Sequence, residues 1–398
     1  MSGLSSAGQG RRRWLKRSLS WSCAHCALFG ALAPAGAQTA NDWMVPPRHQ
    51  RPDVATDEGG LWSLMDREET KLRRSSFVVR DAAWRQYVSD LVCRLGGEHC
   101  ADTRVYTVRM PFFNASMAPN GMMQVWTGLL LRVENEAQLV SVLGHEIGHY
   151  LQRHSLERLR DAQAKSAFMA LMIPFGLVGL VGQMAAMGSV AAFSRDNERQ
   201  ADRIGLALMK QSGHDPREAA KVWANVRAEL TAGAGGDPAQ RSVFLASHPG
   251  ADERQQQLEQ LAQDGGGFIG EDEFQSRLEP LLWELLEDEL KRAQYDETLV
   301  LLERHCTRRP RRGDLRWFRG EARRLRDHAD DAAQALADFN AALELDKSPP
   351  QAHRSIGLVH RQQGRNQEAL AAFERYVQAA PAAADAGLVQ SYISELRT

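Results

Sequence analysis

Residues 144–149 have the sequence Gly-His-Glu-Ile-Gly-His, in which two histidines are four positions apart and a glutamate follows the first. On an α-helix, residues four apart share one face, so both imidazoles can bind one metal ion. The H-E-x-x-H pattern is typical of zinc sites in which the glutamate acts as general base. The sequence therefore predicts one Zn²⁺ per chain, with His145 and His149 as ligands and Glu146 activating a water molecule. A structural histidine pair is the alternative.

A catalytic zinc ion usually has three protein ligands and one open position, so the motif needs a third ligand. The extended motif would have a histidine at the position of Ser155 and a glycine at that of Gln152, and is therefore excluded. We predict Glu198 as the third ligand, and Asp202 as the acceptor of a hydrogen bond from a ligand imidazole. A charged, solvated helix face is the alternative for both carboxylates. His154 lies off the ligand face and is predicted to be at the surface or behind a ligand.

Helices and two short strands are predicted to position these side chains. A helix begins near Asn135, a predicted N-cap with Gln138 three residues later as in a capping box, and runs to about residue 165. Composition and alternation predict strands at 105–110 and 122–126. The second strand is predicted to be the sheet edge to which a substrate adds as a further strand. The fold class that follows is α+β and mainly helical.

The length and composition of the chain limit its functions. Its 398 residues are 43% hydrophobic and carry a net charge of −1, which allows a sizeable core and argues against a nucleic-acid partner. Residues 1–37 contain a basic cluster, an apolar stretch and a small-residue cleavage site, and are predicted to be a secretory signal peptide. A short membrane anchor is the alternative. Residues 38–60 are polar and rich in proline, and are predicted to form an extended arm.

Signal-peptide cleavage would leave three cysteines, Cys93, Cys100 and Cys306. A turn-like pair of glycines separates the first two, so in an oxidising compartment Cys93 and Cys100 can form a local disulfide. Two buried free thiols are the alternative.

The segment 167–193 contains no charged residue and is long enough to span a bilayer. It lies between His149 and Glu198, and a single crossing would put these two residues on opposite sides of the membrane. Either the segment is a buried or re-entrant hairpin, or the zinc assignment is wrong. We predict a helical pair beside the active site that touches the membrane surface peripherally.

Residues 271–398 are helical and repetitive. Ala335-Leu336 and Phe339 recur 34 positions later as Ala369-Leu370 and Phe373. A period of 34 residues predicts a tetratricopeptide-like array of stacked helix pairs with a concave binding surface. An unrelated helical bundle is the alternative. The three glycines at 265–267 are predicted to mark the boundary with a metallopeptidase domain at 61–264, which is expected to bind zinc without the repeats.

The H-E-x-x-H motif followed by S-R-x-x-E-x-x-x-D at 194–202 resembles the gluzincin family of CAAX prenyl proteases and HtpX. The signal peptide and C-terminal repeats resemble its periplasmic BepA branch. The resemblance implies a periplasmic zinc metalloendopeptidase that hydrolyses misassembled or unfolded outer-membrane proteins. It also implies that the repeats bind substrates or the outer-membrane assembly machinery.

The same resemblance extends to Ser247-His248-Pro249 and to Arg254. His248 is expected either to reach the metal or to stabilise the oxyanion of the tetrahedral intermediate. A histidine in a helix-capping loop is the alternative, and the role of Arg254 is equally open.

Two other functions are compatible with the sequence. One is a chaperone-like binding module with latent or no proteolysis, and the other is an integral membrane protease. The glutamate of the H-E-x-x-H motif favours the enzyme, because a structural zinc site needs no general base.

Overall fold

The computed structural model describes residues 45–164, 193–233 and 242–398. The predicted signal peptide at 1–37 and nearly all of the segment 167–193 lie outside the described residues. Within the described ranges, no helix has the length and apolar character that a membrane span requires.

The first part of the chain combines helices with a small sheet. Its elements are α1 (Asp57–Arg74), α2 (Ala82–Gly96), a 3-10 turn (Gly97–Asp102), β1 (Arg104–Val108), β2 (Ala115–Met117), β3 (Met122–Trp126), α3 (Thr127–Leu130), α4 (Glu136–Leu151), α5 (His154–Ala164), α6 (Arg195–Gln211), α7 (Glu218–Ala232), α8 (Val243–Ser247) and α9 (Ala251–Leu261).

The second part contains only helices among its described residues. They are α10 (Glu271–Lys291), α11 (Tyr295–Arg308), α12 (Gly313–Arg326), α13 (Asp331–Leu343), α14 (Gln351–Gln362), α15 (Asn366–Ala379) and α16 (Ala386–Leu396). The predicted fold class is confirmed: a mainly helical α+β region is followed by packed helix pairs.

The sheet has the strand order β1-β3-β2, with β1 parallel and β2 antiparallel to β3. The prediction that strand 122–126 is the sheet edge is therefore wrong, because β3 has a partner on each side. The hairpin that causes this turns at Gly121, whose φ of +85° suits glycine. It folds β2 onto the side of β3 that β1 leaves free.

The helix that carries the metal motif begins as predicted. The side chain of Asn135 accepts a hydrogen bond from the backbone N–H of Gln138, and caps α4. The predicted extension to residue 165 is wrong, since the helix ends at Leu151. Arg153 has a φ of +58°, a left-handed conformation that breaks the helical path before α5 starts.

A disulfide joins Cys93 on α2 to Cys100 in the following 3-10 turn, so the bonded alternative is observed. It ties the end of α2 to the segment that leads into β1. Cys306 on α11 is buried and free.

The helix pairs of the C-terminal part fit together through glycines. A Cβ atom on Gly320 would lie 2.5 Å from the ring of Phe339, and one on Gly357 would lie 2.5 Å from that of Phe373. Such distances leave no room for a side chain, so each glycine lets a phenylalanine of the next helix pack against the backbone. The two phenylalanines are those whose 34-residue spacing identified the repeat.

The glycine-rich segment before α10 is held against the first part of the chain. Phe268 donates its N–H to the carbonyl of Gly213, and the N–H of Ala137 donates to the carbonyl of Ile269. Beyond it, α10 packs against α2, α3 and α4, and buries Phe274 and Leu282. The two parts of the chain therefore share one continuous apolar core.

A buried ion-pair cluster crosses the same interface. Arg132, which follows α3, lies 2.7 Å from Glu229 of α7 and 3.0 Å from Glu289 of α10. Glu289 also accepts a hydrogen bond from Thr298. Burial alone would raise the pKa of Glu289, but the neighbouring Arg132 and Arg292 outweigh it, and the net pKa lies below the usual value of 4.5.

Glu289→Gln is expected to lower the free energy of unfolding at pH 7 by about 3–5 kcal/mol, because it leaves buried arginines without their partner. Since the folded state lowers this pKa, the stabilisation is present above about pH 4.5 and is lost as the pH falls further. Urea unfolding at pH 7 and at about pH 3 measures both effects. The matched control is Glu374→Gln, which removes an exposed pair with Arg397 and should cost about 0–1 kcal/mol. Equal losses for both variants would contradict the prediction.

Candidate metal centre

Two helices meet at the site with unusually close backbones. A Cβ atom on Gly144 would lie 3.2 Å from the carbonyl oxygen of Gly205, and one on Gly148 would lie 3.0 Å from that of Ala201. The glycines that flank the motif histidines therefore let α4 approach α6 almost backbone to backbone. This contact brings side chains of α6 beside the histidines of α4, although some fifty residues separate them in the chain.

The three predicted ligands converge at this contact. His145 Nε2 lies 3.0 Å from His149 Nε2, and the Glu198 carboxylate oxygens lie 3.4 Å from His149 Nε2 and 3.6 Å from His145 Nε2. Ligand atoms of a tetrahedral zinc site, each about 2.0–2.1 Å from the metal, are separated by about 3.3 Å. All three side chains are buried, and burial lowers the pKa of His149 well below its ordinary value. A neutral imidazole is the form that binds metal.

His248 joins the same cluster from the loop after α8. Its Nδ1 lies 3.0 Å from Glu198 Oε1 and 3.4 Å from His145 Nε2. The ring stacks on Phe244, with centroids 4.3 Å apart. One nitrogen or oxygen from each of His145, His149, Glu198 and His248 lies within 4.8 Å of the others, so a set of four donors could hold a metal ion.

Asp202 and Arg254 lie behind the donors. Asp202 Oδ1 is 3.0 Å from His145 Nδ1, which fits the predicted hydrogen bond from a ligand imidazole. Arg254 donates to both oxygens of Asp202, at 2.6 and 2.8 Å, and its Nη1 lies 2.6 Å from Glu198 Oε2. Its guanidinium also lies 4.1 Å above the ring of Trp223. Arg254 is therefore a buried cation that offsets two buried carboxylates.

Comparison with known proteins agrees with this geometry. Residues 80–262 match the family model of Peptidase family M48, and the matched region contains the four donors, Asp202 and Arg254. We refer to residues 80–262 as the M48 domain, after the family model that they match. The matched region ends two residues before the predicted boundary at 264.

Several known proteins are similar to part of this chain. The Beta-barrel assembly-enhancing protease of Escherichia coli is 28% identical over 52% of this chain and 45% of its own length. The Mitochondrial metalloendopeptidase OMA1 of Arabidopsis thaliana is 34% identical over 39% of this chain and 31% of its own length. The Mitochondrial metalloendopeptidase OMA1 of Schizosaccharomyces pombe is 31% identical over 44% of this chain and 52% of its own length. The chain thus spans about a third to a half of the length of these relatives.

Glu146, the predicted general base, lies beside the donors. It is buried beside the donors, accepts a backbone hydrogen bond from Met117 of β2, and its Oε1 has no hydrogen-bond partner among the described residues. Burial, and next the negative charge of Glu198, raise its pKa well above the ordinary value. A carboxylate in this environment accepts a proton more readily than one in water.

His154 and Phe193 also contact the donor His149. His154 is buried, and its Nδ1 lies 2.9 Å from His149 Nδ1, so of its two predicted locations it occupies the one behind a ligand. The break in the helix before α5 changes the direction in which His154 points. The ring of Phe193 stacks on that of His149, with centroids 3.9 Å apart. No motif marks Phe193, although it directly precedes the cap of α6.

Proposed function

We propose that this protein is a zinc-dependent metalloendopeptidase of the bacterial cell envelope. The observation that carries the proposal is the buried set of two imidazoles and one carboxylate, with a second carboxylate beside it that has an unsatisfied oxygen. Nitrogen and oxygen donors of this kind suit Zn²⁺, and His145, His149 and Glu198 are the proposed ligands.

Zinc bound by these side chains would polarise the scissile carbonyl and lower the pKa of water. Glu146 removes the proton from the attacking water and then gives it to the leaving amine. Asp202 holds His145 in the tautomer whose Nε2 is free to bind metal. Arg254 keeps the carboxylates of Asp202 and Glu198 ionised, because its charge lies against both of them.

The substrate strand is proposed to pair with β2 in place of the originally predicted β3. Asn114 and Ala118 direct backbone groups toward β3, through hydrogen bonds with Trp126 and Met122. Because these directions alternate along a strand, Ala115 and Met117 direct theirs to the opposite side. Glu146 lies on that side, and its carboxylate accepts a hydrogen bond from the backbone N–H of Met117. A peptide added to this edge would have a carbonyl near the donors.

His248 supports a second possibility for the resting protein. A catalytic zinc ion needs an open position, whereas four protein donors would fill a tetrahedral site. The His248 side chain would therefore have to move out of the donor set before water and substrate could reach the metal. This arrangement favours latent proteolysis, and with it the alternative of a chaperone-like binding module.

The proposed substrates and location follow from the relatives and the sequence. One relative is named a Beta-barrel assembly-enhancing protease, which supports misassembled outer-membrane proteins as substrates. The signal-like segment 1–37 supports export to the periplasm. The C-terminal helix pairs are proposed to be tetratricopeptide-like repeats that bind substrates or assembly partners, and 167–193 a peripheral membrane contact.

Zinc content and casein cleavage of three variants test the proposed site. Glu198→Ala should lose both metal and activity, because it removes a ligand. Asp202→Ala should weaken zinc binding by roughly 10–100-fold, as losses of a ligand's hydrogen-bond partner do. His248→Ala should retain zinc, since three ligands remain. Full zinc occupancy and turnover in Glu198→Ala would contradict the ligand assignment and favour His248 as the third ligand.

A further inference from the structure

The two ring nitrogens of His149 face different partners. Its Nε2 lies 3.0 Å from His145 Nε2 and 3.4 Å from Glu198 Oε1, so it is the nitrogen on the metal side. Its Nδ1 lies 2.9 Å from Nδ1 of His154. A neutral imidazole that offers the lone pair of Nε2 to a metal carries its proton on Nδ1. Nδ1 of His149 must therefore donate, and Nδ1 of His154 must accept.

This requirement determines the next hydrogen bonds as well. A neutral His154 that accepts at Nδ1 carries its own proton on Nε2, which lies 3.0 Å from Oε1 of Gln200. The amide nitrogen of Gln200 in turn donates to Oε1 of Gln152 at 3.2 Å. All three hydrogen bonds thus run outward from His149, and each donor meets an acceptor. Only 2% of His154 is exposed, so its contact with His149 is shielded from water.

The other motif histidine has a different partner. His145 donates from Nδ1 to the carboxylate of Asp202, which is charged and paired with Arg254. His149 donates to a neutral imidazole, which adds no further negative charge beside Glu146 and Glu198. The hydrogen bond to His154 therefore orients His149 without another buried carboxylate.

We propose that His154, held by Gln200, is a positioning residue that keeps His149 in its metal-binding tautomer and orientation. The inference rests on the proposed metal site. The left-handed backbone conformation of Arg153 makes the contact between His154 and His149 possible. It redirects the chain after α4, so that His154 lies on the side of His149. His154 touches neither substrate nor metal in this role.

The test is the zinc dissociation constant of the full-length protein, measured by competition with a chromogenic chelator. His154→Leu removes the acceptor and should weaken binding by roughly 10–100-fold. His154→Asn keeps an oxygen where Nδ1 stood and should restore affinity close to that of the wild type. Gln200→Leu should weaken binding less than His154→Leu, because it removes only the second contact. The visible absorption of the Co²⁺-loaded proteins should change in His154→Leu and return in His154→Asn.

His305→Leu is the matched control, because His305 is also buried but donates to the carbonyl of Leu131, away from the candidate ligands. It should leave zinc affinity unchanged, whatever its effect on thermal stability. Wild-type affinity in His154→Leu would overturn the proposal, and so would an asparagine variant as weak as the leucine variant. If His154→Leu does not fold, unchanged affinity in Gln200→Leu overturns it. A wild-type protein that binds no zinc would instead refute the proposed function itself.

Discussion

Glu146→Gln is expected to retain zinc and to reduce casein cleavage by roughly 10²–10⁴-fold, the usual contribution of a general base. Glutamine has nearly the shape of glutamate but cannot take a proton from water. The proposed ligands are untouched, and the buried position beside Met117 accommodates an amide of the same size. Metal analysis and cleavage rates measured on the same preparation separate the two effects.

The matched control is Glu157→Gln, the same chemical change at an exposed residue of α5 that contacts Asn197. Its cleavage rate should equal that of the wild type. Undiminished cleavage by Glu146→Gln would refute the mechanism. Loss of zinc in the same variant would assign Glu146 a role in binding the metal.

Removal of residues 265–398 is expected to prevent the M48 domain from folding, contrary to what the sequence predicts for a chain that ends near 264. The cut would remove α10, which fills the core with Phe274, Leu278, Leu282, Leu285 and Leu286. Burial of one such side chain contributes roughly 1.5–3 kcal/mol, so the loss is on the order of 10 kcal/mol. Domains are stable by only about 5–15 kcal/mol. The same cut leaves Arg132 without Glu289.

A chain that ends at residue 347 is the control, because it keeps α10 to α13 and removes α14 to α16. The last two helices, α15 and α16, contribute to a separate apolar cluster. This shorter protein should unfold cooperatively on heating and bind zinc, whereas the chain that ends at 264 should do neither. Zinc binding and a cooperative thermal transition in the latter would show that the M48 domain folds without the helices that follow it.

The chain that ends at 347 also tests the proposed recognition by the repeats. In the Glu146→Gln background, which prevents cleavage, its capture of unfolded outer-membrane proteins can be compared with that of the full-length protein. Equal capture would place recognition outside the last three helices.

Features that depend on neighbours in the chain could be predicted from the sequence. The spacing of His145 and His149 on a capped helix required only local geometry, and the Asn135 cap was found where it was expected. Glu198 and Asp202 are one turn apart on α6, so they reach the site as a unit. The 34-residue spacing of Phe339 and Phe373 likewise indicated a repeated packing unit.

Features that depend on distant contacts were decided by the tertiary structure. The strand order cannot be predicted from a local sequence pattern. It depends on the hairpin at Gly121, which places β2 on the side of β3 that β1 leaves free. The pairing of His154 with His149 required the backbone to leave the helix at Arg153. The position of Arg254 between two carboxylates depended on where α9 packs.

The segment 265–267 also depends on tertiary contacts. Glycines usually mark flexible links, which is why a domain boundary was predicted there. Whether such a segment is a free linker depends on what its neighbours bury, and here Phe268 and Ile269 hydrogen-bond to the M48 domain before α10 enters its core. The sequence by itself determined the chemistry of the metal motif, because ligands on one helix turn are fixed by covalent spacing. Only the tertiary structure decided which distant side chains surround it, because their positions depend on how helices pack.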